Sequence, residues 1–198
     1  MKENYAKLLE KIVKELGSKP NLLLHSCCAP CSSYVIEYLR DYFNITILYY
    51  NPNISPKEEY YKRKNEQLRF IKNYPDINFM DCDYDNDTYN NLVSGLENEP
   101  ERGSRCTVCF NLRLSKTAIM AKDNNFDYFG TTLTVSPYKN AQLINEIGRN
   151  LEVKHGIKWL YSDFKKENGY KRSIELSKKY DLYRQDFCGC VFSKRKEH

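Results

Sequence analysis

The chain has 198 residues, 41% hydrophobic and 29% charged, with 17 tyrosines; this suits one core-forming soluble domain and excludes a disordered or fibrous protein. A formal net charge of +5 suits a polyanionic partner without requiring one. No apolar run approaches about 18 residues, so no membrane-spanning helix is expected.

In chain order, "MKENYAKLLEKIVKELG" sets Tyr5, Leu8, Leu9, Ile12, Val13 and Leu16 on one face of an amphipathic helix within residues 1–20. It lacks the apolar stretch and cleavage site of a signal peptide, so a cytoplasmic protein is expected. "NLLLHS" (21–26) reads as a buried strand, and "CSSYVIEYLRDYF" as a helix with Val35, Ile36, Leu39 and Phe43 on one face. "NITILYYN" is a second strand, and the two prolines of "NPNISP" forbid helix until about Pro56. A long charged helix then opens with Pro56, Glu58 and Glu59, as a helix N-terminus favours.

"INFMDCDY" reads as a third strand containing Cys82, "NDTYNNLVSGLE" as a weaker helix, and "NEPERGSRCTVC" as a loop. A buried helix follows over "FNLRLSKTAIMAKDNN", then a strand over "FDYFGTTLT" and a helix over "NAQLINEIGRNLEVKHG". "KWLYSDF" is the fifth strand, "NGYKRSIELSKKY" the last helix, and "LYRQDFCGCVFSKRKEH" a tail without period. Strands alternating with helices predict a doubly wound α/β domain with a mostly parallel sheet, a single domain over residues 1–198. Ligands in such folds bind at the carboxyl ends of the strands. The loop after the first strand and the threonines ending the fourth lie there.

Seven of the eight cysteines fall in three clusters: Cys27, Cys28 and Cys31; Cys106 and Cys109; Cys188 and Cys190. Cys82 stands alone and reads as a small core residue. Core packing gives no reason for thiols to recur at such spacings, each time in a loop, and a reducing compartment keeps thiols free unless they bind metal or do redox chemistry. "CTVC" is a chelating or redox pair. "CGC" is too tight for an unstrained disulfide, and strained dithiols are the redox-active ones. Zinc takes four ligands and leaves three thiols over; an iron-sulfur cluster also takes four, with a redox role for the others. From the cysteines alone, iron-sulfur, zinc and pure thiol chemistry all stay open.

The segments "LLLHSCCAPCSS", "YNPNISPKEEYYKRKNE", "RCTVCFNLRLSKTAIMA", "FGTTLTVSPYKN", "SDFKKENGYKRSIELSKKY" and "YRQDFCGCVFS" run in order over roughly residues 21–193. Together they resemble the QueH-type epoxyqueuosine reductases. The resemblance implies a nucleotide-hydrolase-like fold, the PP-loop shape of other tRNA-modifying enzymes, a 4Fe-4S cluster and a second, mononuclear iron nearby. It also implies a tRNA substrate carrying epoxyqueuosine at the wobble position, whose epoxide is reduced to the cyclopentene of queuosine by electrons from an unidentified donor. A phosphate-cradling loop needs glycines; "HSCCAPCSS" has none, so ATP use is not expected.

On this reading Cys27, Cys28, Cys106 and Cys109 bind the cluster; the alternative partition puts one member of each adjacent pair on each centre, and the sequence leaves both open. Cys188 and Cys190 are either a redox-active dithiol or, with Cys31, ligands of the second iron, which would act as a Lewis acid. Tyr138, Lys139 and Asp163 are candidate proton donors. Tyr183 and Arg184 lie in matching segments, and Lys165, Lys166, Lys171, Arg172, Lys178, Lys179, Lys194, Arg195 and Lys196 are candidate contacts to tRNA phosphates, with splayed bases stacking on Tyr or Phe. The competing reading is a zinc-dependent, sulfur-transferring tRNA-modifying enzyme of the same fold, which should also carry an ATP loop. A non-enzymatic metal- or RNA-binding module would leave the Thr-rich strand end and "SPYK" without a role.

Overall fold

The computed structural model describes residues 3–193, so Lys194, Arg195 and Lys196, named above as phosphate contacts, lie outside the described residues. Strands β1 (Asn21–His25), β2 (Asn44–Tyr49), β3 (Asn78–Asp81), β4 (Tyr128–Thr131) and β5 (Lys158–Trp159) form one sheet in the order β3-β2-β1-β4-β5. Every pairing is parallel. The connections leave β1 toward β2 on one side and reach β4 on the other, which opens a crevice at the carboxyl end of β1.

Among the described residues seven α-helices flank the sheet: α1 (Tyr5–Glu15), α2 (Ala29–Leu39), α3 (Lys57–Ile71), α4 (Asn86–Leu92), α5 (Ser104–Asp123), α6 (Ala141–His155) and α7 (Gly169–Lys179). Successive strand side chains point to opposite faces. Leu22 and Leu24 enter a core with Leu9 of α1, Val35 and Ile36 of α2 and Phe70 of α3. Leu23 enters the other, with Leu114 and Ala118 of α5, Ile144 of α6 and Trp159 of β5. Both faces of β1 are covered, which is why it reads as an unbroken apolar run rather than an alternation. Gly148 of α6 lets the helix lie against Trp159, because a Cβ there would fall 2.2 Å from the indole. No helix among the described residues is long and apolar enough to cross a membrane.

Several elements differ from the sequence expectation, each for a local reason. The segment "RCTVC" is helical, not a loop: α5 begins at Ser104, whose amide donates to Glu99 Oε2 at 2.9 Å. Its period is hidden because Cys106, Cys109 and Arg113 take inward positions that apolar residues normally mark. Cys31 likewise lies in the first turn of α2, which starts at Ala29 with Pro30 near its N-terminus. The fifth strand is only two residues long. Beyond it, side chains replace the ladder: Asn145 Oδ1 accepts from the Ser162 amide at 3.1 Å and Thr134 Oγ1 from that of Phe164 at 3.4 Å. Cys82 sits one residue past β3, half-buried, with its Sγ 3.7 Å from Met120 Sδ, consistent with a core filler.

Candidate metal centre

The turn from β1 into α2 carries Cys27, Cys28 and Cys31, whose sulfurs all lie within 4.8 Å of one another. Ser26 and Ser32 both donate to Gln67 Oε1, at 2.7 and 2.8 Å, and this tie across α3 fixes the turn. Cys28 is the N-cap of α2, so the three thiols sit at the positive end of a helix dipole. Cys27 Sγ is 3.8 Å from Cys28 Sγ, and Gln185 Nε2 donates to Cys28 Sγ at 2.9 Å. Hydrogen bonds from Cys28 and Cys31, with the nearby Arg113 charge, hold the Cys27 thiol well below its usual range. Donating to Cys27 in turn pushes Cys28 up to about 12 and Cys31 well up, with burial adding.

Helix α5 presents Cys106 and Cys109 to the same region, with Arg113 one turn further on. Arg113 is 2% exposed. Its Nη2 donates to Asn51 Oδ1 at 2.6 Å, its Nε to His25 Nε2 at 3.2 Å, and its Nη1 to Cys109 Sγ at 3.8 Å. His25 answers with no charge, since burial and the guanidinium push its pKa down to about 3; its Nδ1 lies 2.9 Å from Thr131 Oγ1 and its Nε2 is also 3.1 Å from the Tyr50 carbonyl. No carboxylate pairs with Arg113 among the described residues. A buried cation needs an anion. Burial pushes the Cys109 thiol up to about 11 when no metal is bound, so the anion has to come from a bound group or a neighbouring thiol.

The tail brings the last pair. Arg63 Nη1 donates to the Cys188 carbonyl at 3.2 Å, and the Ser55 amide to the Gly189 carbonyl at 2.9 Å, so "CGC" is clamped against "NPNISP". Gly189 has φ +117, and a Cβ on it would fall 2.9 Å from Ile54. Lys139 Nζ donates to Cys188 Sγ at 2.8 Å, and that sulfur's charge raises the Lys139 pKa above the ordinary lysine value against the opposing effect of burial. Cys190 packs instead against Tyr89, Val93 and Cys109. The two thiols therefore turn to different neighbours, and all eight cysteines are free; the disulfide form of a Cys188–Cys190 dithiol is not present.

A cavity of about 260 Å³ opens at this point, with Cys27, Cys31, Arg113, Lys139, Gln185 and Cys188 in its walls and Tyr138 and Arg184 also bordering it. Asp163 is not in that wall and pairs with Lys165. Tyr183 serves structure, its amide on Glu66 at 2.6 Å and its hydroxyl on Glu59 at 3.2 Å. Arg172 is occupied by Glu37 and Glu175, whereas Lys171 is exposed. Sequence reading missed His25, Asn51, Arg113 and Gln185. The one available signal for Arg113 was its place four residues after Cys109, the next turn of the same helix face.

The residues fit an anionic, sulfur-bound group. Cys27, Cys28 and Cys31 converge beside a buried guanidinium that bonds Cys109 and has no carboxylate partner among the described residues, and the Asn53 side chain, 1% exposed, leaves both polar atoms without a hydrogen-bond partner beside Gly189. Unmet buried donors of this kind are filled by a ligand or water in a stable protein.

A family model described as "Epoxyqueuosine reductase QueH" matches residues 22–196. A protein of that name from Staphylococcus epidermidis is 44% identical over 99% of this chain and 87% of its own. Those from Streptococcus pyogenes and Thermotoga maritima are 43% and 34% identical, over 98% and 89% of this chain and 79% and 93% of their own. Among solved structures, the U34-tRNA thiolase NcsA from Methanococcus maripaludis, solved with its 4Fe-4S cluster, superposes with a TM-score of 0.59 over 96% of this chain and 67% of that one. At 13% identity that likeness shows the fold alone.

Proposed function

The chain belongs to the epoxyqueuosine reductase QueH family, and from that membership we propose that it reduces the epoxide of epoxyqueuosine at the wobble position of tRNA, the last step to queuosine. The balance is epoxide plus two electrons and two protons giving alkene and water. The observation that carries the reading is the convergence of Cys27, Cys31, Cys188, Arg113 and Lys139 on one cavity at the carboxyl end of β1.

Cys27, Cys28, Cys106 and Cys109 are the proposed holders of a 4Fe-4S cluster. Arg113 supports this partition, because it bonds both Cys109 Sγ and the ring of His25, two residues before Cys27, and so ties the α5 pair to the β1 turn. When bound, such a cluster supplies electrons one at a time at a potential set by its hydrogen bonds and net charge. Cys31 and Cys188, which face the same cavity, are the thiols left for a second iron. Lys139 is the proposed proton donor: its ammonium is held at 2.8 Å by Cys188 at the cavity wall. It gives a proton from Nζ to the epoxide oxygen as the C–O bond opens, and after reprotonation from solvent gives the second, so that the oxygen leaves as water. The two electrons come from a separate electron donor.

Anaerobic purification, metal analysis and conversion of epoxyqueuosine in tRNA test the reading. About four or five irons per chain and visible absorbance are expected. Cys109→Ser should lose both, and a variant that retains them removes Cys109 from the ligand set. A zinc reading has one observation of its own: the 3.8 Å between Cys27 and Cys28 sulfurs is close to the ~3.8 Å edge of a tetrahedron with Zn–S bonds of about 2.3 Å. One zinc and no colour would favour it.

A further inference from the structure

Tyr138 is 57% exposed, the most exposed aromatic among the described residues, and borders the mouth of the thiol-lined cavity. Its hydroxyl makes no hydrogen bond among the described residues; only its amide is engaged, on Ser136 Oγ at 3.3 Å. Among the described residues, neither packing nor hydrogen bonding accounts for a large ring at that place. The guanidinium of Arg102 stands 5.7 Å from the centre of the same ring. Arg102 is exposed and forms no ion pair among the described residues. Its backbone is left-handed at φ +76, a conformation disfavoured outside glycine and kept where the surroundings fix it. Here the Arg102 amide donates to Cys106 Sγ at 3.3 Å, so the rim is tied to the thiol centre.

A base can reach thiols behind a rim only by leaving the stack of its own strand. In an anticodon loop the neighbouring base then loses a stacking face, and an aromatic side chain with a cation beside it replaces that face and meets the adjoining phosphate. We propose that Tyr138 and Arg102 form a stacking platform for the base next to the reacting nucleotide, with Arg102 also facing its phosphate. This deepens the tRNA-reductase reading and rests on it. The platform is sequence-tolerant, because every base offers a π face.

The test uses the metal-loaded full chain, an anticodon stem-loop RNA and, separately, the free epoxyqueuosine nucleoside. Tyr138→Ala should weaken stem-loop binding about 5- to 150-fold, the range given by stacking of one base, and raise KM for the stem-loop more than for the free nucleoside. Tyr138→Phe should bind and turn over as the parent does. Arg102→Gln should lower the salt dependence of binding by about one ion. Unchanged stem-loop affinity in Tyr138→Ala overturns the platform. So does lost turnover in Tyr138→Phe at unchanged affinity, which would make the hydroxyl a proton donor instead. Failure of the reductase reading shows elsewhere, as a parent protein that converts neither substrate, while the binding series still decides the platform.

Discussion

Replacing Arg113 with Met separates a buried cation that serves a metal group from one that merely packs. The substitution leaves Asn51 Oδ1 and His25 Nε2 without their donors, at about 1–3 kcal/mol each. Against this, removing a buried cation relieves a desolvation penalty of several kcal/mol. In the metal-free protein these roughly cancel, so Arg113→Met should change stability by no more than about 2 kcal/mol. In the loaded protein the same substitution also strips the counter-charge from an anionic, thiolate-bound group. Breaking a buried charge pair by deleting one partner costs about 3–5 kcal/mol, and that amount should appear as the difference between the two states. The assay is anaerobic chemical denaturation of parent and variant, each loaded and chelated. A loaded-minus-chelated difference below about 1 kcal/mol would refute a counter-charge role, since 3–5 is the size expected of a real pair. The reduction potential should fall as well, because net charge is one of its determinants.

Lys139→Met should cut turnover by about 10²- to 10⁴-fold, the usual worth of a positioned acid, with stem-loop affinity kept; single-turnover kinetics beside equilibrium binding would check this, and unchanged turnover would remove Lys139 as donor. Gly148→Ala gains helix propensity of about 1 kcal/mol but drives a Cβ to 2.2 Å from Trp159; overpacking of about 1–3 kcal/mol should win, with a lower midpoint and altered Trp fluorescence. Glu66 is held below the usual carboxylate range chiefly by its hydrogen bond to Arg69, with the Tyr183 amide adding. A depressed carboxyl contributes stability above its unfolded pKa and loses it as pH falls through the folded value. Glu66→Gln should therefore flatten the loss of stability below about pH 4.5. Because the pair is partly exposed, the effect should stay within about 1 kcal/mol; an unaltered acid limb in pH-resolved denaturation would contradict it.

Much of the scaffold was legible in the sequence. The run "NLLLH" between a helical period and a thiol loop specified a strand buried on both faces, and the alternation that followed specified a parallel sheet. Motif order alone placed the chain beside its family. The element that escaped was the start of α5. There cysteines and an arginine occupy the inward face, and a periodicity defined by apolar residues cannot see them. The end of the sheet was also hidden, because the donors beyond β5 are met by Asn145 and Thr134, far away in the chain.

The sequence by itself determined which residue types were available: seven clustered thiols, strand-helix alternation and a loop without glycines where a phosphate cradle would sit. Only the tertiary structure decided their neighbours. It set Cys27, Cys28 and Cys31 within 4.8 Å, turned Cys188 to Lys139 and Cys190 to Tyr89, and buried Arg113 beside Cys109 with no carboxylate partner among the described residues. Composition fixes the charges a chain can offer, whereas burial and distance fix what each charge is worth, and both depend on residues far apart in the chain meeting at one strand end.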